Sequence, residues 1–292
     1  MLRRKNTMKR GLIMEGGALR GMFTAGVTDV FLENGIEFDG AVGVSAGAAF
    51  GCNFKSRQIG RAIRYNLANC KDPRYCSFAS LLLTGNMFGK KYCYETIPYK
   101  TDIFDWEVYR NNPLEFYAVA TDIEKGAPVY HRCDTLDKDE MEWIRASSSL
   151  PLAARIVKIG DKKLLDGGVS DSIPLKFFED LGYDRNVVIL TRPREYIKAP
   201  TSLMKLIRLK YRKYPKLIER LENRHLEYNE TVAYVNEKEA RGEIFVIRPP
   251  YPLPAGQKEH DPERIRQTYE IGRQTALEAL TELKIFLNKE EV

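Results

Sequence analysis

The sequence has little of what marks membrane-spanning or secreted proteins. In its 292 residues, no apolar run approaches the roughly 18 residues that a transmembrane helix requires. Residues 1–10 are basic, but they lead into no hydrophobic signal-peptide segment. We therefore expect a cytoplasmic protein, with any membrane contact made peripherally at the inner face of the membrane.

Sulfur and imidazole ligands are also scarce. The five cysteines are odd in number and form no C-x-x-C pair, which favours reduced thiols over a disulfide framework. There are only three histidines, and no metal-ligand spacing is visible. The sequence therefore predicts neither a metal site nor a cofactor.

Acidic residues are few where basic residues gather. Residues 1–10 carry five basic and no acidic side chains, and residues 201–224 carry eight basic and two acidic ones. Since the net charge of the whole chain is +6, the remainder of the chain is negative. The bulk of the protein therefore lacks the charge of a nucleic-acid binder, and we expect no nucleic-acid partner.

The N-terminal region has the order strand, loop, helix, strand, helix. Residues 11–14 predict a buried strand, and residues 15–21 form a glycine-rich loop. Met22 to Phe31 follow as a helix with an apolar stripe at 3.6-residue spacing, and a second apolar strand begins at Phe38. This order is typical of a parallel α/β sheet with right-handed crossovers.

We predict three parts along the chain. Residues 1–8 form a basic tail, residues 9–195 an α/β domain with the candidate site, and residues 196–292 a mainly helical extension. In the extension, two long helical stretches flank one short strand. Pro215 is expected to break or kink the first of these stretches.

Ser45 is the candidate nucleophile. It is the centre of Gly43-Val44-Ser45-Ala46-Gly47, a G-x-S-x-G pattern between a predicted strand and a predicted helix. The glycines allow a sharp turn that holds the serine out at the positive end of the helix. The alternative is an ordinary strand–turn–helix in which the serine caps the helix.

The glycine-rich loop at residues 15–21 admits three interpretations. A dinucleotide fingerprint would need a glycine at Ala18 and an acid after the second strand, and a P-loop would need Gly-Lys-Ser/Thr. The third interpretation is a nest of backbone N–H groups that binds an oxyanion. Because the first two strands are expected to be neighbours, their carboxyl ends would place this loop beside Ser45.

A serine nucleophile needs a base, and Asp166 is the candidate. None of the histidines (His131, His225 and His260) is in a recognisable motif. Asp166 stands at a predicted strand end before two glycines, and a desolvated aspartate could take the serine proton directly. The alternative is an Asp-Gly turn in a β-hairpin.

Together these motifs resemble the patatin-like phospholipase family, over residues 11–190. The resemblance is carried by three groups of residues in the family's order and spacing: Gly16, Gly17, Arg20 and Gly21; Gly43, Ser45 and Gly47; and Asp166, Gly167 and Gly168. It implies a three-layer α/β/α fold with a mostly parallel central sheet, followed here by the helical extension. It also implies a Ser45–Asp166 dyad without histidine.

The same resemblance implies an oxyanion hole made of the backbone N–H groups of Gly16, Gly17 and Ala18. Many members of the family have a third glycine where this chain has Ala18. If that position needs a positive φ, the alanine costs roughly 1 kcal/mol or more. Arg20 would either organise this loop or meet a phosphate head group, and the alternative is a first-turn residue paired with a carboxylate.

The implied function is a serine acyl-ester hydrolase, a carboxylic ester hydrolase of the phospholipase A or lysophospholipase type that degrades lipids through an acyl-enzyme. Three alternatives stay open: an acyltransferase with the same dyad, an α/β-hydrolase with a Ser–Asp–His triad, and a non-catalytic acyl-lipid binder.

Residues 201–224 combine an apolar stripe with a basic flank. They are either a packed helix with a solvated face or a contact with an anionic membrane.

Overall fold

The computed structural model describes residues 8–288, so the predicted basic tail at 1–8 lies outside the described residues except for Met8. In the described range, one sheet contains all the named strands. The strands are β1 (Lys9–Met14), β2 (Gly40–Val44), β3 (Glu115–Asp122), β4 (Ala127–Arg132), β5 (Val157–Ile159), β6 (Lys162–Asp166), β7 (Tyr183–Ile189) and β8 (Ile244–Ile247). The helices are α1 (Met22–Glu33), α2 (Ala46–Lys55), α3 (Arg61–Asn69), α4 (Phe78–Thr84), α5 (Trp106–Asn111), α6 (Lys138–Ser147), α7 (Leu175–Asp180), α8 (Met204–Lys210), α9 (Pro215–Ala240) and α10 (Pro262–Asn288).

The sheet has the order β5-β6-β3-β2-β1-β7-β8, with β4 also paired to β3. The five strands from β3 to β8 along this order pair in parallel, whereas β4, β5 and β6 pair antiparallel to their neighbours. The predicted mostly parallel sheet is therefore confirmed. The antiparallel strands are all on one side of it, beyond β2.

Strand β3 is shared in an unusual way. Strand β4 pairs with β3 along Tyr117–Asp122, so β2 and β6 must both use the opposite edge. The register of β2 ends with Val44 opposite Val119, and that of β6 ends with Asp166 opposite Ala120. Because β2 runs parallel to β3 and β6 runs antiparallel to it, the two strands approach each other head-on.

Helices cover both faces of the sheet, as the alternation along β1 requires. Leu12 and Met14 belong to a core with α1, α2, α6 and α10, and Ile13 belongs to a second core with α7 and α9. All three side chains are fully buried. This arrangement confirms the predicted three-layer α/β/α fold.

The C-terminal region is built into the same layers. Strand β8 pairs in parallel with β7, while α9 and α10 pack on opposite faces of the sheet. The predicted helical stretch around Pro215 is divided into α8 and α9, and the proline occupies the first turn of α9, where its missing N–H is harmless. The proposed boundary after residue 195 stays a prediction.

The sequence of residues 55–110 indicates a mostly helical region, and the structure between α2 and β3 is less regular than that. It contains α3, α4 and α5 and a π-helical stretch at Tyr92–Thr101. None of the residues of α4 is buried. Strand β5, with three residues, was not predicted, because so short a run gives no readable periodicity. Among residues 8–288, no helix is both long enough and apolar enough to cross a membrane.

Candidate active site

Ser45 lies in the sharp turn between β2 and α2. Its φ is 54° and its ψ is −119°, a strained conformation for a residue with a side chain. The hydroxyl does not cap α2, which removes the helix-cap interpretation of this serine. Gly47 makes the turn possible, because a Cβ there would come within 2.3 Å of the Met14 carbonyl oxygen.

The Ser45 hydroxyl donates a hydrogen bond to Asp166, with 2.7 Å between Oγ and Oδ2. The other carboxylate oxygen, Oδ1, accepts a bond of 2.8 Å from the Gly168 N–H. A short 3-10 turn, not a hairpin, follows Asp166. The head-on approach of β2 and β6 therefore brings the two predicted catalytic residues into direct contact.

The electrostatic environment of Asp166 is mixed. Its side chain is almost fully buried, and this burial raises the pKa of the carboxyl group above its usual value. The hydrogen bond from Ser45 and the positive charges of Arg224 and Lys198 act in the opposite direction. The carboxylate is thus desolvated, as a base for a serine hydroxyl should be, yet partly stabilised in its charged form.

Helix α6 and strand β3 hold the pair in place. The Ser147 hydroxyl accepts a bond of 2.9 Å from the Ser45 N–H, and the Ser148 hydroxyl donates to the Ser45 carbonyl oxygen at 3.2 Å. Thr121 Oγ1 lies 2.8 Å from the Asp166 carbonyl oxygen, to which it donates. No local pattern in the sequence points to Ser147, the last residue of α6, or to Ser148 just after it, because nothing there indicates which part of the helix meets the turn.

The glycine loop lies beside Ser45. A Cβ on Gly16 would be 2.9 Å from the Val44 carbonyl oxygen and 3.0 Å from the Ser45 Cβ. In the described part of the chain, the N–H groups of Gly16, Gly17 and Ala18 donate no hydrogen bond. Ala18 has a φ of 50°, so the alanine is in the left-handed region, where a residue with a side chain is strained.

Arg20 faces a polar cavity next to the dyad. Its Nε is buried and has no hydrogen-bond partner, so the predicted carboxylate partner is not found within residues 8–288. Burial lowers the pKa of the Arg20 guanidinium, and the nearby charge of Arg192 lowers it further. Glu15 is in the same cavity, but its carboxylate accepts bonds from Thr191 and from the Tyr228 hydroxyl.

A second cavity, with an apolar lining, meets the first at Ser45. Aromatic and aliphatic side chains from several helices form its wall, among them Ala49, Phe50, Tyr65, Ile97, Phe104 and Met141. A third, outer cavity opens between α4 and α8. Leu150 lines all three, so it stands where they join.

The histidines are engaged elsewhere. The His131 ring stacks on Trp143 at 4.1 Å between ring centres, and His260 Nδ1 is 2.7 Å from the Cys70 carbonyl oxygen. His225 lines the outer cavity. Within the described residues, none of the three forms a hydrogen bond with either member of the Ser45–Asp166 pair.

The chain belongs to the patatin-like phospholipase family. The model of that family, described as "Patatin-like phospholipase", matches residues 12–178, which include both members of the dyad and the glycine loop. A second model, "Domain of unknown function (DUF6363)", matches residues 214–288. At the level of the family, the chain is a lipid hydrolase.

Individual relatives resemble the chain to different extents. "Uncharacterized protein YjjU" of Escherichia coli is 28% identical over 277 residues, which are 90% of this chain and 74% of that protein. "Lysophospholipase nte1" of Aspergillus terreus is 29% identical over 60% of this chain but only 11% of its own length. The crystal structure of VipD from Legionella pneumophila has a TM-score of 0.47 at 12% identity, covering 94% of this chain and 67% of that one.

Proposed function

We propose that this protein is a serine acyl-ester hydrolase in which Ser45 is the nucleophile and Asp166 the general base. The observation that carries the proposal is the 2.7 Å hydrogen bond from Ser45 Oγ to Asp166 Oδ2. In the first step, Oγ attacks the ester carbonyl carbon while its proton passes to Asp166. Asp166 then returns the proton to the departing alcohol, which leaves an acyl group on Ser45.

The second half of the cycle repeats these roles with water. Asp166 takes a proton from water, the resulting hydroxide attacks the acyl carbonyl, and Ser45 leaves with the proton from Asp166. In both halves the carbonyl oxygen becomes an oxyanion. The free N–H groups of Gly16, Gly17 and Ala18, next to the Ser45 turn, are suited to stabilise it.

The apolar cavity suggests the acyl part of the substrate. It begins at Ser45 and continues between aromatic and aliphatic side chains, which suit an alkyl chain and offer few polar partners. A long-chain lipid ester of the phospholipase A or lysophospholipase type fits this geometry. The relative nte1 is named a lysophospholipase, which is the same class of enzyme.

Covalent labelling tests the proposal. We expect a fluorophosphonate probe to label wild-type protein. Ser45→Ala should not be labelled, and Asp166→Asn should be labelled much more slowly than wild type. Turnover of p-nitrophenyl butyrate should fall by about 10³-fold or more in both variants, because members of a catalytic unit do not contribute additively. Folding is checked by the urea midpoint of each variant.

Three controls separate the alternatives. His225→Gln and His260→Gln should retain most of the turnover, and a loss equal to that of Asp166→Asn would favour a histidine triad. Wild-type protein that binds lipid but is not labelled would be an acyl-lipid binder. A product that is mainly a new ester when glycerol is added, with little free fatty acid, would favour an acyltransferase.

The proposal includes peripheral contact with an anionic membrane through residues 201–224. Helix α8 presents two exposed leucines, of which Leu209 is 70% exposed, and a third, Leu203, is exposed just before the helix. The basic residues Lys205, Arg212 and Lys213 are exposed beside them. Across the outer cavity, α4 exposes Leu82 and Leu83. An apolar rim flanked by cations is suited to a surface of anionic lipid, where each basic side chain contributes roughly 1 kcal/mol.

Vesicle sedimentation tests this contact. We expect wild-type protein to bind anionic vesicles at low salt, to bind neutral vesicles weakly, and to be released as salt increases. Changing Lys205, Arg212 and Lys213 to Ser should abolish binding. The matched control changes Lys71, Lys100 and Lys138, which are also exposed, to Ser and should still bind. Equal binding by both triple variants would contradict the proposed surface.

A further inference from the structure

The polar cavity beside the dyad gathers four basic side chains from four separate segments. Arg20 follows the glycine loop, Arg192 follows β7, Lys198 precedes α8, and Arg224 is on α9. All four line one cavity that also reaches Ser45. Four cations brought together from such distant parts of the chain require a counter-charge, because like charges at short range repel.

Among the described residues, no carboxylate forms a direct ion pair with any of these cations. Within residues 8–288, none of the four is in an ion pair, whereas the deeply placed Arg61 pairs with Asp102 and Arg248 with Glu239. Arg20 Nε is buried without any acceptor. A buried donor on a cation that lacks a partner is costly, so the cavity is better explained by an acceptor that binds there than by the protein alone.

The two carboxylates in the cavity are already used. Glu15 accepts bonds from the Tyr228 hydroxyl at 2.7 Å and from the Thr191 N–H at 2.6 Å. Asp166 accepts the bond from Ser45. The described lining of the cavity therefore has two more basic side chains than carboxylates, an excess that favours an anionic head group over a zwitterionic one.

Repulsion among the cations is visible in Lys198. Burial, together with the charges of Arg224, Arg192 and Arg20, lowers the pKa of its ammonium group to about 7, against the opposing effect of Glu15. An anion in the cavity would remove much of this repulsion. The cavity is thus set for a ligand with more than one negative charge.

We propose that this cavity binds the terminal phosphate of the substrate's head group, so that the preferred substrate is an acyl glycerol carrying a phosphate monoester. A phosphate monoester has a charge of about −1.5 to −2 at neutral pH and three acceptor oxygens, which matches the excess of cations in the cavity and the unpaired Nε–H of Arg20. With the acyl chain in the apolar cavity, the phosphate would lie on the other side of Ser45. The inference rests on the proposed ester hydrolysis and names its substrate class.

A different role for the cations has to be separated from this one. Arg224 and Lys198 lower the pKa of Asp166, and they could serve only to keep that base ionised. Arg192 offers the cleaner test, because its guanidinium stacks on Tyr196, with 4.1 Å between its central carbon and the ring centre, and it is not among the charges that shift Asp166.

Binding is tested first, on Ser45→Ala protein to avoid turnover, by calorimetry with octyl phosphate, inorganic phosphate and octyl glucoside. Octyl phosphate should bind most tightly, inorganic phosphate more weakly, and octyl glucoside least. Adding Arg192→Gln and Lys198→Gln should raise the Kd for octyl phosphate about tenfold or more, because charge-assisted hydrogen bonds to the phosphate are lost. Arg110→Gln, an exposed arginine on α5, is the matched control and should change nothing.

Several binding results would overturn the proposal. Octyl glucoside bound as tightly as octyl phosphate would show that charge has no part in recognition. Inorganic phosphate bound as tightly as octyl phosphate would indicate a site for free phosphate instead of a lipid head group. If the affinity for octyl phosphate did not change when Arg192→Gln and Lys198→Gln were added, the phosphate would bind outside this cavity.

Turnover is the second readout, with three substrates of one acyl chain: 1-acylglycerol 3-phosphate, 1-acylglycerol and 1-acylglycero-3-phosphocholine. We expect the highest kcat/KM for the phosphate monoester. Arg192→Gln should lower kcat/KM for 1-acylglycerol 3-phosphate about tenfold more than kcat/KM for 1-acylglycerol, mainly because KM for the phosphate monoester increases. Arg192→Lys, which keeps the positive charge, should restore part of the lost kcat/KM. An equal loss on all three substrates, expressed in kcat, would show that the cations serve only Asp166.

The two proposals can fail separately. Absence of fluorophosphonate labelling and of all ester turnover would remove the proposed function, while the calorimetric test would still decide whether the cavity binds a phosphate. Labelling and turnover without preference for the phosphate monoester would leave the hydrolase and remove the head-group assignment.

Discussion

The two cavities that meet at Ser45 differ in almost every physical respect. One is walled by aromatic and aliphatic side chains, and the other by arginines, a lysine and two carboxylates. The wall of the apolar cavity comes mainly from the segment between β2 and β3, with a contribution from α6, whereas the cationic cavity depends largely on residues near and after β7. Two regions of the chain, far apart in sequence, thus prepare opposite sides of one serine.

This difference indicates that the two cavities have different roles in substrate binding. An apolar wall can select for chain length, but it cannot orient an ester, since dispersion contacts have little directional preference. Charged donors on the opposite side can fix the orientation of an anionic group. The serine between them would then act on a substrate that is held from both ends.

The largest loss of stability and turnover is expected from a substitution in the Ser45 turn, because both cavities meet there. In Gly47→Ala, the new Cβ would be only 2.3 Å from the Met14 carbonyl oxygen, so the turn at Ser45 must move. We expect a loss of about 3 kcal/mol in the free energy of unfolding, and turnover below about 1%. Urea denaturation and p-nitrophenyl butyrate hydrolysis measure the two effects.

The matched control is Gly256→Ala, because a Cβ there meets no atom within 4 Å and the backbone conformation is an ordinary one. Its stability should stay within about 0.5 kcal/mol of wild type. A Gly47→Ala protein that keeps wild-type stability and turnover would contradict the tight turn.

The next effect should alter only the apolar side. Ala49 lines that cavity, and Ala49→Phe would fill part of it. We expect turnover of p-nitrophenyl palmitate to fall about tenfold or more relative to p-nitrophenyl butyrate, since a few methylenes of space carry that much discrimination. Ala49→Ser, which adds little volume, is the control. Equal losses on both esters would show that the acyl chain lies elsewhere.

A smaller effect should alter only the cationic side. Asp166 must be ionised to act as a base, so the rate falls as the pH drops through its pKa. The positive charge of Arg224 lowers that pKa, hence Arg224→Gln should move the acid limb of kcat/KM to higher pH. Arg220→Gln, one turn earlier on α9, should leave the limb in place. An unmoved limb in Arg224→Gln would show that the two groups are not coupled.

The smallest effect concerns Ala18, which lines both cavities. Its positive φ is strained for alanine, and Ala18→Gly should raise the free energy of unfolding by about 0.5–1 kcal/mol while keeping the N–H. Thermal or urea unfolding measures the gain. If stability falls instead, the alanine methyl group contributes more by packing than its backbone costs.

Local motifs made much of the site predictable. The elbow around Ser45, the glycine loop and the Asp166-Gly167 strand end are each encoded within a few residues, because turn geometry and strand ends have local signals. Their approach to one another followed from the rule that the carboxyl ends of neighbouring parallel strands share one edge of the sheet.

The cationic cavity was not predictable in the same way. Arg192 follows β7, and the rule on strand ends could have pointed to it. Lys198 is in irregular chain and Arg224 is one of several basic residues on a long helix, so neither carries a local signal. Their convergence depends on how α9 packs across the sheet, a tertiary relation that no short window of sequence contains.

The head-on meeting of β2 and β6 has a consequence for how such a protein can change over time. The separation of Ser45 and Asp166 is set by the hydrogen-bonded ladder along β3, where one residue corresponds to about 3.3 Å and reverses the direction of a side chain. The long segments between these strands contribute cavity walls, but they do not determine the separation of Ser45 and Asp166. Insertions and replacements there can redesign what the protein accepts, while the reactive pair is inherited unchanged.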